Sequence, residues 1–209
     1  MAPVSWDEGF ADRYAEWSAG RTADIPFYVD LARKADGPLV ELAVGSGRVA
    51  IPVALATGRP VIGIDSSPSM LAQAREAAAV AGVRLDLREG DMRDLVLDEP
   101  AALRPDGRFA WDAFAFDHHT AVRLDGGHQQ EPVPHTTRFS VGDNRIDLTL
   151  DGGGTSSLWW ATKNEWLGLI DVAGLEVEAL YGGFAGEPFT GERSEYVFVA
   201  RRRPPSRET

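Results

Sequence analysis

The chain has 209 residues and no cysteine, so it is long enough for one domain with a full core, and disulfides, thiolate nucleophiles and iron–sulfur clusters are excluded. Its residues are 44% hydrophobic and 25% charged, without an apolar run of membrane-spanning length or an initial signal-peptide pattern, which predicts a cytoplasmic protein that makes no membrane contact. The formal net charge of −11 disfavours nucleic acid as a partner, because a negative field repels phosphates.

Two helical patterns occupy the first part of the chain. Ser5-Trp-Asp-Glu8 has the spacing of a capping box, and an aromatic stripe follows on one helical face. The stripe consists of Trp6, Phe10, Tyr14 and Trp17. Asp24 can cap a second helix, which Gly37 ends. We therefore predict a helical segment over residues 5–36 that packs an apolar underside on the core.

The stretch that follows carries the main functional pattern. Leu39–Val44 predicts a buried strand, and Gly45–Gly47 predicts a sharp turn at which bare amides can approach a ligand. A helical pattern over 49–57 leads to a second strand, Val61–Ile64, which ends on Asp65. This order of elements, in which a strand, a glycine turn, a helix and a second strand lead to an acidic residue, is typical of a nucleoside-binding crossover.

The segment Glu41-Leu-Ala43-Val-Gly45-Ser-Gly47 resembles the first motif of class I S-adenosylmethionine-dependent methyltransferases. That motif is an acid followed by x-Gly-x-Gly-x-Gly, and alanine here replaces its first glycine. A dinucleotide fingerprint fits less well, because Ala50 stands where its third glycine is required. The resemblance implies a Rossmann-like α/β fold with a mostly parallel sheet, and S-adenosyl-L-methionine as the cofactor. The cofactor-binding residues that it implies in this stretch are Glu41, Ala43, Gly45, Gly47 and Asp65.

The next elements extend the resemblance. Ser66-Ser-Pro68 opens a third helix, and a strand over 83–87 leads to Gly90-Asp91. In the family, residues after the second strand flank the adenine, and the carboxylate after the third strand accepts from its amino group. The further implied contacts are Ser66, Met70, Asp91, Met92 and Arg93, with Tyr14 and Trp17 on a lid over the cofactor. Packing in a core is the competing interpretation for Met70 and for the two lid aromatics.

The chain departs from the family after Asp94. Ten residues separate Asp94 from Pro105, where family members place a strand and a helix. A helical crossover takes at least about ten to twelve residues besides its strands, so either the fourth strand is absent or the sequence omits a stretch. For the first case we predict that the strand over 109–116 moves inward and pairs directly with the strand over 39–44, because an open slot leaves backbone groups unpaired.

Asp117-His118-His119 follows that strand, in a loop where the resemblance places substrate-binding or basic residues. His118 and His119 are therefore the candidate catalytic residues, since a histidine accepts a proton at neutral pH. The alternative is that both are ordinary polar residues at the start of a helix. A metal site is not expected, because adjacent histidines point apart and no nearby Glu or His completes a ligand set.

Three strand-like runs separated by strong turn signals predict an antiparallel meander inserted over about 135–161. The runs are Thr136–Val141, Arg145–Leu150 and Ser157–Ala161. Trp159 and Trp160 point to opposite faces of the last run, so one should face the core and the other a substrate or a partner subunit. This insertion resembles small-molecule methyltransferases, in which such strands cover the substrate or form the dimer interface. We therefore expect a homodimer.

The last part of the chain predicts a helix and two strands. Thr162-Lys-Asn-Glu165 is a second capping box, and Gly174 ends its helix. Runs over 175–181 and 195–201 predict strands, which the resemblance pairs antiparallel. Residues 202–209 are expected to be a disordered tail.

These patterns together predict a single domain over residues 1–209 that transfers a methyl group from S-adenosylmethionine to nitrogen or oxygen of a small molecule. One alternative is a non-catalytic cofactor-binding or degenerate protein of the same fold that acts through dimerisation, because the short link falls on the substrate side of the sheet. A nicotinamide-dependent oxidoreductase is disfavoured by Ala50 and by the absence of a Tyr-x-x-x-Lys pair.

Overall fold

The computed structural model describes residues 18, 20–92, 103–130, 133–191 and 195–204. Four predictions lie wholly or partly outside these ranges: the aromatic helix with Tyr14 and Trp17, the cofactor contact of Arg93, most of the short link after Asp94, and the disordered tail over 202–209. The tail prediction is wrong at Arg202, because that residue ends the last strand. Within these ranges, no helix is both long enough and apolar enough to cross a bilayer.

A parallel three-stranded sheet with helices packed on it forms the first half of the domain. Its strands, in spatial order, are β1 (Leu39–Leu42), β2 (Val61–Asp65) and β3 (Leu85–Glu89). The helices are α1 (Asp24–Arg33), α2 (Ala50–Thr57) and α3 (Pro68–Ala81). Buried apolar residues of these elements form one core cluster, in which Leu71 is 1% exposed.

The ends of α2 and α3 follow from local chemistry. The Ser67 hydroxyl accepts from the Met70 amide at 3.0 Å, and Pro68 occupies the first turn, where its missing N–H costs nothing. Gly58 and Gly82 end the two helices with φ of 68° and 70°, values in the left-handed region that glycine adopts without strain. The predicted starts and stops of these helices are confirmed.

A second sheet, with strand order β4-β10-β9, carries the predicted antiparallel C-terminal pair. Its strands are β4 (Arg108–Phe114), β9 (Leu175–Tyr181) and β10 (Glu195–Arg202). Helix α5 (Lys163–Val172) covers one face and begins with the predicted Thr162–Glu165 capping box. In the core beneath it, the ring of Phe198 stacks on Trp111 with centroids 4.8 Å apart.

The predicted meander is a separate four-stranded antiparallel sheet, entered through helix α4 (His118–Leu124). Its strands are β5 (His128–Gln129), β6 (His135–Ser140), β7 (Arg145–Leu150) and β8 (Thr155–Trp159). β5 lies in a stretch predicted as loop. β8 starts two residues earlier than predicted, because the chain resumes pairing directly after the turn at Gly153 and Gly154, where φ is 92° and 100°. Trp160 is 3% exposed and Trp159 is 53% exposed, so one tryptophan faces the core, as predicted, and the other is open on its far side.

The expected direct pairing of β4 with β1 is wrong. Among the described strands β1 pairs with β2 alone and β4 with β10 alone, which leaves a discontinuity between β1 and β4 that we call the slot. Side chains join the two halves instead. The hydroxyl of Tyr28, on α1, donates to Oδ1 of Asp112, on β4, at 2.6 Å, while α1 packs on α2 in the first half. Helix α1 thus spans the slot on one face without any backbone pairing between the sheets.

Candidate cofactor-binding site

The turn after β1 has the backbone conformation that its glycines predict. The φ angle is 55° at Gly45 and 82° at Gly47, and a Cβ at Gly47 would lie 3.1 Å from Cδ1 of Ile51. The positive φ strains any residue with a Cβ at Gly47, and the Ile51 side chain would also have to shift to admit one. The Gly47 amide donates to the Val44 carbonyl at 2.9 Å, so it is not free, contrary to the sequence prediction. Because the turn carries almost no side-chain bulk, a ligand can still approach its backbone closely.

Ala43 is the residue that replaces the first motif glycine, and it lies at φ 55°, in the left-handed region. A residue with a Cβ costs about 1–2 kcal/mol there, whereas glycine costs about 0.5–1 kcal/mol in chain entropy. We expect Ala43→Gly to raise the free energy of unfolding by about 0.5–1 kcal/mol, measured by urea denaturation. Ala72→Gly, at an exposed position inside α3, is the matched control and should lower it by about 1 kcal/mol. Equal losses in the two variants would contradict the strain at Ala43.

Asp65 ties the turn to the ends of the neighbouring strands. Its Oδ2 accepts from the Gly45 amide at 2.8 Å, and its Oδ1 accepts from the Ser67 amide at 2.9 Å. Its backbone carbonyl accepts from the Gly90 amide at 3.0 Å, which brings the end of β3 to the same edge. A carboxylate has about four acceptor sites, so each oxygen can accept another donor such as a ribose hydroxyl.

Glu41 lies in β1, just before the turn. Burial raises the pKa of its carboxyl to about 8, and the carboxylates of Asp24 and Asp65 act in the same direction. The guanidinium of Arg48 and the amide of Ala50 act against this rise. Near neutral pH the carboxyl is therefore largely protonated, so it can donate a hydrogen bond as well as accept one.

A charged pair fixes the far side of the turn. Nη1 and Nη2 of Arg48 donate to the two carboxylate oxygens of Asp24 at 2.8 and 2.6 Å, and Asp24 is 6% exposed. Nη1 also donates to the carbonyl of Arg21 at 2.7 Å. The predicted helix cap at Asp24 is wrong: Ala23 precedes the helix without a side-chain cap, and Asp24 is the first helical residue. Two charge-assisted bonds hold its carboxylate more strongly than a cap would.

Residues 39–120 match the family model described as a methyltransferase domain. The part of the chain from β1 to α4 is therefore similar to a methyltransferase domain. It matches no curated protein. Among solved structures, its fold is similar to that of the CcbJ methyltransferase from Streptomyces caelestis, with 24% identity, 96% of this chain and 99% of that chain covered, and a TM-score of 0.78.

Two further structures share the fold. An S-adenosylmethionine-dependent methyltransferase from Clostridium acetobutylicum is 11% identical, with 93% of this chain and 98% of that chain covered and a TM-score of 0.71. CalS10, an amino pentose methyltransferase from Micromonospora echinaspora with S-adenosylmethionine bound, has 17% identity, 97% and 100% coverage, and a TM-score of 0.60. These likenesses confirm the predicted Rossmann-like α/β fold.

The other predicted cofactor contacts differ in accessibility. Ser66 is exposed at the end of β2, and Met92 is 59% exposed after β3. Asp91 is half-buried, next to the Gly90 amide that donates to the Asp65 carbonyl. Met70 is 5% exposed and packed in the core, as its competing interpretation expected. The polar residues therefore line the edge of the sheet, while Met70 supports it from below.

His118 and His119 are the first two residues of α4, at the end of β4. Both are exposed, and the ring of His118 lies edge-on against Trp160 with centroids 5.5 Å apart. The Asp117 carboxylate accepts from the Thr120 amide at 2.6 Å and so caps the helix. The described ring contact of His118 is therefore with the meander and not with the glycine turn.

The hydrogen-bonded pair of Tyr28 and Asp112, which the sequence patterns did not predict as part of the site, lies beside the slot. Burial raises the pKa of the Tyr28 hydroxyl, and the carboxylate of Asp112 acts in the same direction. Burial also raises the pKa of Asp112, which the bond from Tyr28 opposes. Asp112 nevertheless keeps one side open to solvent. The sequence signal that could have identified Asp112 is a carboxylate inside the apolar run of β4. Its partner, Tyr28, could not be identified in the same way, because it is 84 positions away.

A cavity of about 350 Å³ opens beside the turn. Ser46, Gly47 and Arg48 of the turn line it together with Ser18, Arg21 and Thr22, which precede α1. The guanidinium carbon of Arg21 lies 5.2 Å from the ring centroid of Phe114, at the end of β4. The segment before α1 therefore reaches both the turn and the end of β4.

Proposed function

We propose that this protein transfers a methyl group from S-adenosylmethionine to nitrogen or oxygen of a small-molecule acceptor. The observation that carries the proposal is the glycine turn, which Asp65 holds at the carboxyl edge of a parallel sheet. In open α/β sheets ligands bind at that edge. The match of residues 39–120 to a methyltransferase domain supports the same chemistry.

The residues present fit the cofactor. In the proposed complex the turn amides and Gly47 lie against its amino acid part, Asp65 accepts from the ribose hydroxyls, and Asp91 accepts from the adenine amino group. The protonated Glu41 supports the turn from β1. When bound, the cofactor supplies an electrophilic methyl group on a sulfonium, so the protein has mainly to align the acceptor and exclude water.

The acceptor site is proposed at the end of β4 and the start of β10, across the slot from the turn. Phe114 is 39% exposed there and offers an apolar wall. His118 and His119 remain the proposed bases for a hydroxyl acceptor, whereas a neutral amine reacts without a base. The name of CalS10 as an amino pentose methyltransferase supports a small acceptor of the amino sugar type. The net charge of −11 supports a small molecule rather than a nucleic acid.

Two parts of the proposal concern the rest of the chain. The segment with Tyr14 and Trp17 is proposed to act as a lid over the cofactor. The protein is proposed to be a cytoplasmic homodimer that associates through the meander, because Trp159 exposes half of its surface there.

Titration calorimetry with S-adenosylhomocysteine, run beside NADH, tests the cofactor assignment. We expect micromolar binding of the first and none of the second. The same protein should transfer radiolabelled methyl from S-adenosylmethionine to an amine among amino sugars and small amines. Binding of S-adenosylhomocysteine without any transfer would favour a cofactor-binding protein without catalysis. Absence of binding to both ligands would overturn the proposal.

A further inference from the structure

We propose that the ring of Phe114 and the carboxylates of Asp112 and Glu195 form a cation-binding site for an ammonium group of the methyl acceptor. In this structure the guanidinium of Arg21 occupies that site, and the acceptor has to displace it. The inference rests on the proposed function only where it names the ligand as a methyl acceptor. The binding of a cation and its competition with Arg21 can be measured without cofactor and without transfer.

The three side chains of the site share one face of the second sheet. Asp112 and Phe114 are two positions apart in β4, so their side chains point to the same face. Glu195, at the start of β10, pairs in register with Phe114 and therefore lies beside it on that face. Trp111 contacts Trp166 of α5 on the opposite face. The site therefore opens away from α5, on the face where α1 approaches β4.

A cation of the chain itself lies on this face. The guanidinium carbon of Arg21 lies 5.2 Å from the ring centroid of Phe114, within the distance at which an aromatic face attracts a cation. Burial raises the pKa of both Asp112 and Glu195, and the positive charge of Arg21 acts against that rise in each. The guanidinium is therefore close to the ring and to both carboxylates, which together can hold a positive group.

The local charge favours a cation over an anion. Arg21 brings one positive charge to the two carboxylates of the site. The neighbouring pair of Asp24 and Arg48 balances its own charges through bonds of 2.8 and 2.6 Å. The site therefore keeps an excess of negative charge even with Arg21 in place. An acceptor with an ammonium group is attracted to it, whereas an acceptor with a carboxylate in the same position is repelled.

The backbone of Arg21 is held in place while its side chain is exposed. Its amide donates to the Ser18 carbonyl at 2.9 Å, and its carbonyl accepts from Nη1 of Arg48 at 2.7 Å. A cation–π contact at an exposed site is weak, and the arginine stem is long and flexible. An ammonium ligand can therefore replace the guanidinium over Phe114 by rotation of the Arg21 side chain, without loss of the backbone bonds.

Asp112 also provides a route for the proton that a bound ammonium loses before its nitrogen is methylated. Oδ1 of Asp112 accepts from the Tyr28 hydroxyl, and no described residue donates to Oδ2. Oδ2 can take one proton from the ammonium and pass it to water, while the nitrogen keeps the electron pair of the broken N–H bond. Burial, which raises the pKa of Asp112, favours this transfer. The result is the neutral amine that reacts without a further base.

Ligands of one shape and different charge test the site. Cyclohexylammonium chloride and cyclohexanol share a six-membered ring, and only the first is a cation. NMR titration of phenylalanine-labelled protein reports binding at Phe114, whose ring signal is the one that Phe114→Leu removes. We expect the wild type to bind cyclohexylammonium and not cyclohexanol. A site that its own side chain covers about nine-tenths of the time binds about ten-fold more weakly than an open site, so Arg21→Ala should bind cyclohexylammonium about ten-fold more tightly.

The matched control for Arg21→Ala is Arg33→Ala. Arg33 is an exposed arginine in the last turn of α1, where it pairs with Asp30 at 3.5 Å. Its removal changes the net charge equally and should leave the affinity for cyclohexylammonium unchanged. In the Arg21→Ala background, Asp112→Asn and Glu195→Gln should each lower that affinity, because each removes one negative charge and keeps the side-chain shape.

Equal affinity of the wild type and Arg21→Ala, weaker binding by Arg21→Ala, or equal binding of cyclohexanol would each overturn the inference. Calorimetry with S-adenosylhomocysteine on the same samples separates this result from the proposed function. Cofactor binding without selective binding of the ammonium removes the cation site alone. Selective binding of the ammonium without cofactor binding leaves the cation site standing and overturns its assignment to a methyl acceptor.

Discussion

Replacing Asp65 with alanine should weaken binding of S-adenosylhomocysteine by about ten-fold to a hundred-fold. A hydrogen bond to a charged group contributes about 1.5–3 kcal/mol, and Asp65 is the proposed acceptor for the ribose hydroxyls. The same carboxylate accepts from the Gly45 and Ser67 amides, so its loss also releases the turn that approaches the cofactor. Titration calorimetry on the folded variant measures the effect.

The matched control for this experiment is Asp86→Ala. Asp86 is a carboxylate on the neighbouring strand β3 that pairs with Arg88 at 2.6 Å and is open to solvent, so its removal should leave the affinity unchanged. An unaltered dissociation constant in a folded Asp65→Ala protein would falsify the placement of the ribose at this carboxylate. Equal losses in the two variants would instead indicate a general effect of net charge.

Replacing Arg48 with methionine should produce the largest loss of stability, about 3 kcal/mol. Asp24 is 6% exposed and shares two hydrogen bonds with the guanidinium, so the substitution leaves a buried carboxylate without its charge partner. Breaking a buried pair from one side costs about 3–5 kcal/mol, and the lower figure applies because the Arg48 side chain is 26% exposed. Urea denaturation followed by circular dichroism measures the loss.

The double variant Asp24→Leu with Arg48→Met provides the control. It removes both charges together, so it should recover most of the stability that Arg48→Met loses. If the double variant is less stable than Arg48→Met by the full cost of a second independent substitution, the two residues act separately and the pair does not hold the turn.

Local patterns predicted the elements whose determinants lie within a few residues. The helix from Pro68 to Ala81 follows from the Ser67 hydroxyl and Gly82, and the helix after Thr162 follows from the reciprocal bonds of its capping box. β9 occupies the predicted residues 175–181. In each case the side chain or the missing side chain acts on its own neighbours, so the signal is contained in the printed sequence.

The errors concern partners that are distant along the chain. Asp24 has the residue type and position of a cap, but Arg48 lies within reach in the fold and binds it instead. The pairing of β4 with β1 was expected from the need to satisfy backbone groups, although a side-chain bond from Tyr28 to Asp112 joins the halves. Of the proposed site, the turn and Asp65 were predictable, whereas the Tyr28–Asp112 pair required the packing of α1 over the slot.

The slot has a consequence for what holds the two sheets at their distance. Among the described residues no backbone hydrogen bond joins the β1 sheet to the β4 sheet. The described link between them is made by side chains of α1, such as the Tyr28–Asp112 bond, which contributes about 1.5–3 kcal/mol as a bond to a charged group. The packing of one helix therefore helps to set the distance between the glycine turn and Phe114, on which the proposed methyl transfer depends.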